Sequence, residues 1–185
     1  MNEITPPTHN DPDKKSVINL YAMFGVGLIL SLVPSTLVSI VALFFMVAVL
    51  IAGYGLRKKA TPDSLAENHA TYVIRTIWIG TLFSVITVSL GGLYLLSDID
   101  YSAFQPCAEN LAAQGDALMQ NPTYGAVWGS SEPCMNNFIN ENFRLLTIAA
   151  IIAALPVLIY FGYRYGKGLS RAMKGYRMKD AKSWM

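Results

Sequence analysis

Cys107 and Cys134 are the only cysteines among the 185 residues. A thiol pair can serve as a structural disulfide or take part in thiol–disulfide exchange. The chain holds two histidines, His9 and His69, 60 positions apart. Such a separation, with one histidine in a polar terminal stretch, gives no metal-ligand pattern. No nucleophile–base set stands out, so the sequence predicts no enzyme, no cofactor and no metal. One further residue has chemical potential. Arg75 sits inside an apolar run, and a charge in such a run is a functional candidate by default. Trp78, three residues on, is placed to stack against it on one helical face.

The elements that must position these residues are membrane spans. Between Lys15 and Arg57 lie 41 residues with no charged side chain, enough at 1.5 Å per residue for about two hydrocarbon cores of ~30 Å. Spans are expected at about 17–33 and 36–56, with Pro34 breaking the run between Ser31 and Thr36. Two more are expected at about 71–96 and 144–163. The predicted fold is all-α: an integral membrane bundle of four transmembrane helices with a disulfide-stapled external loop between helices 3 and 4. Only 14% of residues are charged, against about 25% in average soluble domains.

Charge placement predicts direction. Lys14, Lys15, Arg57, Lys58 and Lys59 fall on one side, and Arg164, Lys167, Arg171, Lys174, Arg177, Lys179 and Lys182 fall on the same side after span 4. Both termini are thus expected in the cytoplasm of a bacterial inner membrane, with 98–143 in the periplasm. Residues 1–16 read as a disordered tail with no cleavable signal, 17–165 as the four-helix domain, and 166–185 as a basic interfacial tail. Nucleic-acid binding is not expected, because the bases sit beside spans.

The segment 98–143 carries Asp98, Asp100, Glu109, Asp116, Glu132 and Glu141 with no base. Short helices are expected over 107–119 and from Met135 to Phe143. In an oxidising compartment Cys107 and Cys134 would pair, closing a loop of 28 residues counted inclusively, worth roughly 3–4 kcal/mol in the chain-entropy model. Four spans with a cysteine pair in the second external loop resemble the quinone-coupled membrane thiol oxidases in outline. Their relay needs a second pair in the first external loop, and Ser31–Thr36 has no cysteine. The pair therefore reads as a staple.

The segment Glu67-Asn68-His69 followed by TYVIRTIWIG resembles the opening of span 3 in an uncharacterised family of small bacterial four-span membrane proteins. In that family a histidine precedes an Ile-Arg-Thr-aromatic-Trp-Ile run. His69, Ile74, Arg75, Thr76, Trp78 and Ile79 match, and Ile77 fills the aromatic slot. Leu20-Tyr21, Tyr163-Arg164, Gly166-Lys167-Gly168-Leu169 and Ser183-Trp184 are similar to its other patterns. The family is distantly similar to the chloroplast inner-envelope import channel subunit. The resemblance implies the four-span fold and supplies no catalytic residues; the large cysteine-bearing loop departs from it.

Surfaces for association are also legible. Ala149, Ala153 and Gly91-Gly92 suit close helix packing, as do Gly162 and Gly166 in a G-x-x-x-G. The basic stretch after Gly166 places Leu169, Met173 and Tyr176 on one predicted helical face, with Lys167, Arg171 and Lys174 available to anionic headgroups. Tyr124 and Trp128 head an aromatic set in the external loop suited to a partner. The expected function is a non-enzymatic accessory or scaffold subunit of an inner-membrane complex, with lipids and other integral proteins as partners. The alternatives are a component of a transporter or protein-translocation channel, and a membrane thiol–disulfide oxidoreductase.

Overall fold

The computed structural model describes residues 12–113, 115 and 124–182. Residues 1–11 of the expected tail 1–16 and the Ser183-Trp184 pair lie outside them, and residues 12–16, expected in that tail, are helical. All regular structure among the described residues is helical: α1 (Pro12–Leu30), α2 (Thr36–Lys59), α3 (Leu65–Asp98), α4 (Gln105–Ala113), α5 (Tyr124–Glu141) and α6 (Phe143–Met173), with a 3₁₀ turn at Ser102–Phe104.

Three of these, α2, α3 and α6, are long and apolar enough to cross a membrane. At 24, 34 and 31 residues they run roughly 36, 51 and 46 Å. α1, at 19 residues, lies nearer the N-terminus than the expected span at 17–33. It begins at Pro12 and stops at Leu30, three residues before the expected end, and its first turn carries Asp13, Lys14 and Lys15. Its uncharged helical part is therefore Ser16–Leu30, about 22 Å long.

Helix ends follow local chemistry. Proline suits the first helical position of α1, where no donor is required. Ser64 caps α3: its Oγ accepts from Glu67 N at 3.1 Å, while Glu67 Oε2 accepts from Asp63 N at 3.0 Å. The S-x-x-E spacing is a capping-box signature. Arg57, Lys58 and Lys59 end α2, where cations complement the helix dipole. α6 stops in a Schellman motif: Tyr176 N bonds Arg171 O at 2.9 Å and Gly175 N bonds Ala172 O at 3.0 Å. Gly175 has φ 72°, a left-handed conformation that favours glycine. Tyr176 therefore does not continue the face of Leu169 and Met173, correcting the expected helical stripe.

The chain divides into two compact units. The first holds the described residues up to Ser84 together with those from Val157 onward; the second is Val85–Pro156. In the first, α1 packs on α2 across the short link around Pro34. Val17, Leu20, Tyr21 and Phe24 of α1 join Val49 of α2, Ala66, Ala70, Tyr72, Val73 and Ile77 of α3, Ala172 of α6 and Met178 beyond it in one buried cluster. Tyr165 packs edge-on against both Tyr21 and Phe24, at 6.2 and 5.8 Å between centroids. In lipid such packing and polar pairing, rather than escape from water, hold helices together.

In the second unit Gly91 lets α3 approach α6 closely. A Cβ there would sit 2.8 Å from Ala149 O and 3.3 Å from Ala153 Cβ. Thr87 Oγ1 adds a bond to Ala153 O at 2.9 Å. The expected small-residue pairs Ala149, Ala153 and Gly91 thus pack within the chain. Beyond Asp98, Phe104 lies 4.5 Å from Phe138 between centroids. A disulfide joins Cys107 of α4 to Cys134 of α5, with Cα atoms 5.7 Å apart, inside the usual range.

Candidate functional site

In the first unit polar side chains converge where α3 meets the end of α6. Arg164, counted from sequence among the bases flanking span 4, is fully buried. Its Nε donates to Thr76 Oγ1 at 2.9 Å, and its guanidinium lies 4.1 Å from the Tyr72 ring centroid. Tyr72 Oη donates back to Arg164 O at 3.1 Å, and Thr76 Oγ1 donates to Tyr72 O at 2.7 Å. These contacts pin two helices together, and the cation–π term contributes about 2 kcal/mol in a desolvated setting. Sequence reasoning missed this role because a base after a span reads first as a positive-inside residue.

A second set lies where the chain after α6 meets the start of α3. His69, fully buried, places Nε2 3.0 Å from Tyr176 O and Nδ1 3.1 Å from Tyr21 Oη. A carbonyl only accepts, so Nε2 carries the proton and the neutral ring accepts the Tyr21 hydroxyl through Nδ1. Asn68 grips Met178 twice: Met178 N donates to Oδ1 at 2.7 Å, and Nδ2 donates to Met178 O at 3.2 Å. The histidine is structural, joining α1, α3 and the C-terminal segment.

Arg75 is half-buried, and its Nε has no hydrogen-bond partner. Trp78 does not stack on it. The indole is 56% exposed and donates to Tyr54 Oη at 3.1 Å, forming an exposed aromatic pair. Lys167 Nζ reaches Tyr163 Oη at 3.1 Å and lies 5.1 Å from that ring's centroid. Arg171 Nη1 donates to Arg177 O at 3.0 Å, and Lys174 is exposed. Gly162 and Gly166 are exposed, and a Cβ on either meets nothing within 4 Å.

In the second unit Asp98, Asp100 and Glu141 line an open cavity of about 240 Å³ with Tyr94, Asn142 and Arg144. Hydrogen bonds from the Ser102 hydroxyl and N–H hold the Asp100 carboxyl below its ordinary range. Among the described residues no group of three or more His, Cys, Asp or Glu is placed to hold a metal. Tyr124 and Trp128 fall on α5, and their side chains lie outside the described residues. The predicted site residues are thus spread over both units rather than gathered in one pocket.

α1, α2 and α3 present few exposed polar groups along their apolar stretches. Asn19, Ser39, Thr81 and Ser89 are exposed, and the Thr81 hydroxyl is bonded to Ile77 O at 2.9 Å. Comparison with protein-family models, curated proteins and solved structures finds no match.

Proposed function

We propose that the chain is a non-enzymatic integral membrane subunit that assembles with another membrane protein through the Gly162–Gly166 face of α6. One observation carries this reading. Gly25, Gly53, Gly80, Gly91 and Gly168 each have a neighbouring group against the position of a Cβ; Gly55 and Gly92 on α2 and α3 meet nothing within 4 Å but are only half-exposed, whereas Gly162 and Gly166 both face open space on an exposed helix surface at four-residue spacing. Ser170, one further turn along, is also exposed. Small residues at four-residue spacing let a second helix approach closely, gaining dispersion and weak backbone contacts in lipid.

In this proposal α1 is the fourth crossing. Its uncharged helical part is shorter than a ~30 Å core, and a span that short is accommodated by local thinning and by snorkelling of Lys14 and Lys15. The bias of Lys and Arg supports cytoplasmic termini and an oxidising compartment around the disulfide. The resemblance of the α3 opening to small bacterial membrane proteins motivates the inner-membrane assignment. A transport or translocation role has less support, since the polar residues of the spans are not gathered along one path.

Affinity purification from native membranes in mild detergent tests the reading. The expected result is a stable partner that is lost in a Gly162→Leu/Gly166→Leu variant whose melting temperature is unchanged. A wild-type chain that runs as a clean monomer across several mild detergents would sink it. Thiol labelling in intact cells, after reduction, tests the topology: Cys107 and Cys134 must react with an impermeant reagent from outside.

A further inference from the structure

Three exposed aromatic residues of the first unit stand at one level on three spanning helices. Tyr54 of α2, Trp78 of α3 and Tyr163 of α6 are exposed by 48%, 56% and 57%. The Trp78 indole N–H donates to Tyr54 Oη at 3.1 Å, which levels α2 with α3. Arg164 Nε donates to Thr76 Oγ1 at 2.9 Å, which levels α6 with α3, and Gly80 faces the Phe161 ring one turn further along. Trp78 is two residues from that bond on α3 and Tyr163 one residue from it on α6, about 3 and 1.5 Å of helical rise.

Charge is arranged about this level in one sense. Arg57 follows Tyr54 by three residues, Lys167 follows Tyr163 by four, and Arg75 precedes Trp78 by three. α2 and α6 run toward the end at which α3 begins, so each base stands one turn beyond its aromatic in the same direction. No acid occurs on α2 or α6, and none on α3 between Glu67 and Asp98. Exposed Tyr and Trp on spanning helices gather at the level of lipid headgroups. Depth agrees: α2 begins at Thr36, 18 residues before Tyr54, about 27 Å and close to one hydrocarbon core of ~30 Å. The two phenols are also poised as donors. Tyr54 Oη accepts from Trp78, and Tyr163 Oη accepts from Lys167 Nζ at 3.1 Å. Among the described residues neither hydroxyl proton has an acceptor, and an accepted bond polarises the O–H that remains.

We propose that the Tyr54–Trp78 and Tyr163–Lys167 pairs, with Arg57, form a contact surface for anionic phospholipid headgroups. The phenol protons meet phosphate or ester oxygens, and the bases supply the attraction that selects an anionic lipid. The surface rests on the membrane reading of α2, α3 and α6, and not on the Gly162–Gly166 contact.

Native mass spectrometry of the full chain, delipidated in mild detergent, tests it with phosphatidylglycerol and phosphatidylcholine as separate probes. Phosphatidylglycerol adducts should exceed phosphatidylcholine adducts on the wild type. Arg57→Gln and Lys167→Gln should each weaken the phosphatidylglycerol adducts about fivefold, and Tyr54→Phe with Tyr163→Phe should weaken them severalfold. The tyrosine variants remove only exposed oxygens, so they test the surface without disturbing the core. Equal adducts with the two lipids, or phosphatidylglycerol adducts unchanged in all of these variants, would overturn the surface. Depth gives a second readout. In vesicles of phosphatidylglycerol and phosphatidylcholine, Trp78 fluorescence of a Trp128→Phe/Trp184→Phe chain should be quenched more by lipids brominated near the headgroup than by lipids brominated near the bilayer centre. The reverse order would overturn the level. Carbonate extraction separates the failures: a chain washed off native membranes sinks the membrane reading and this surface with it, whereas a retained chain whose adducts ignore Arg57, Lys167 and the two tyrosines sinks the surface alone.

Discussion

Two asparagines perform the same local task in the two units, with different support. Asn68 bonds both backbone groups of Met178, and Asn142 bonds both backbone groups of Asp100: Asp100 N donates to Oδ1 and Nδ2 donates to Asp100 O, each at 2.9 Å. In the first unit Met178 is itself buried among the side chains of α1 and α3, and His69 grips Tyr176 two residues earlier. In the second, Asn142 is buried but Asp100 and Ser102 are exposed, and among the described residues the segment around them shows the Phe104–Phe138 pair and a disulfide. An amide clamp closes a packed core in one place. In the other it partners a covalent bond where a small segment has little core of its own.

The largest effect should come from removing that covalent bond. Replacing Cys107 and Cys134 together with serine is expected to cost about 3–4 kcal/mol of local stability. Hydrogen exchange should rise over Tyr101–Glu141, and amides of α3 around Asn68 should keep their protection. An equal rise in both units would break the comparison, because it would mean that the disulfide supports the first unit's core as well.

Next come the clamps themselves. Asn68→Ala leaves the N–H and carbonyl of buried Met178 unsatisfied, a loss of about 2–3 kcal/mol. Asn142→Ala should cost only about 1–2 kcal/mol while the disulfide is intact, because the exposed Asp100 backbone regains water. In the chain lacking both cysteines the same substitution should cost more, since two restraints on one segment do not add. Denaturation monitored by exchange at Met178 and at Asp100 reads both. Equal costs at the two asparagines, whatever the state of the cysteines, would show that the surroundings do not matter.

The sequence made the second unit's staple legible and the first unit's closure opaque. Cysteine type and an acidic, base-free segment were enough to expect the Cys107–Cys134 bond, and long uncharged runs were enough to expect α2, α3 and α6. Small-residue spacing likewise anticipated Gly91 against Ala149 and Ala153. The end of α1 falls three residues before the expected one because Leu32 and Val33 continue the uncharged run, while the turn is decided by Pro34 downstream. Tyr176 at i+7 from Leu169 fits the helical period, yet it lies beyond the end of α6. The Lys174-Gly175 step that ends α6 was the stronger signal. Asn68 and Arg164 were not legible at all as clamps, since both take partners far along the chain that no spacing rule connects.

Acid should distinguish the units by a smaller amount. Because Asp100 titrates below its ordinary value, its contribution to the second unit is present above about pH 4 and is lost as the pH falls through the depressed value. Ser102→Ala removes the hydroxyl that is the first cause of that depression, so the Asp100 carboxyl should titrate closer to its ordinary range by NMR. Exchange at Met178 should stay flat over the same window. A parallel loss there would show that acid acts on groups common to both units rather than on Asp100.

The smallest effect is expected at the one ion pair found among the described residues, Arg177 with Asp63 at 2.9 Å. Their side chains are 48% and 88% exposed, so solvent screens the attraction, and such pairs contribute at most about 1 kcal/mol. Arg177 also serves through its backbone carbonyl, which accepts from Arg171, and that bond survives replacement of the side chain. Asp63 has φ 63°, a conformation asparagine tolerates well, so Asp63→Asn removes the charge without straining the turn. A double-mutant cycle over Arg177→Gln and Asp63→Asn should therefore give a coupling under about 1 kcal/mol that vanishes in high salt. A coupling that is larger and insensitive to salt would mean that the segment after α6 is held from its exposed side, and that the buried contacts of Asn68 and His69 follow from that grip instead of causing it.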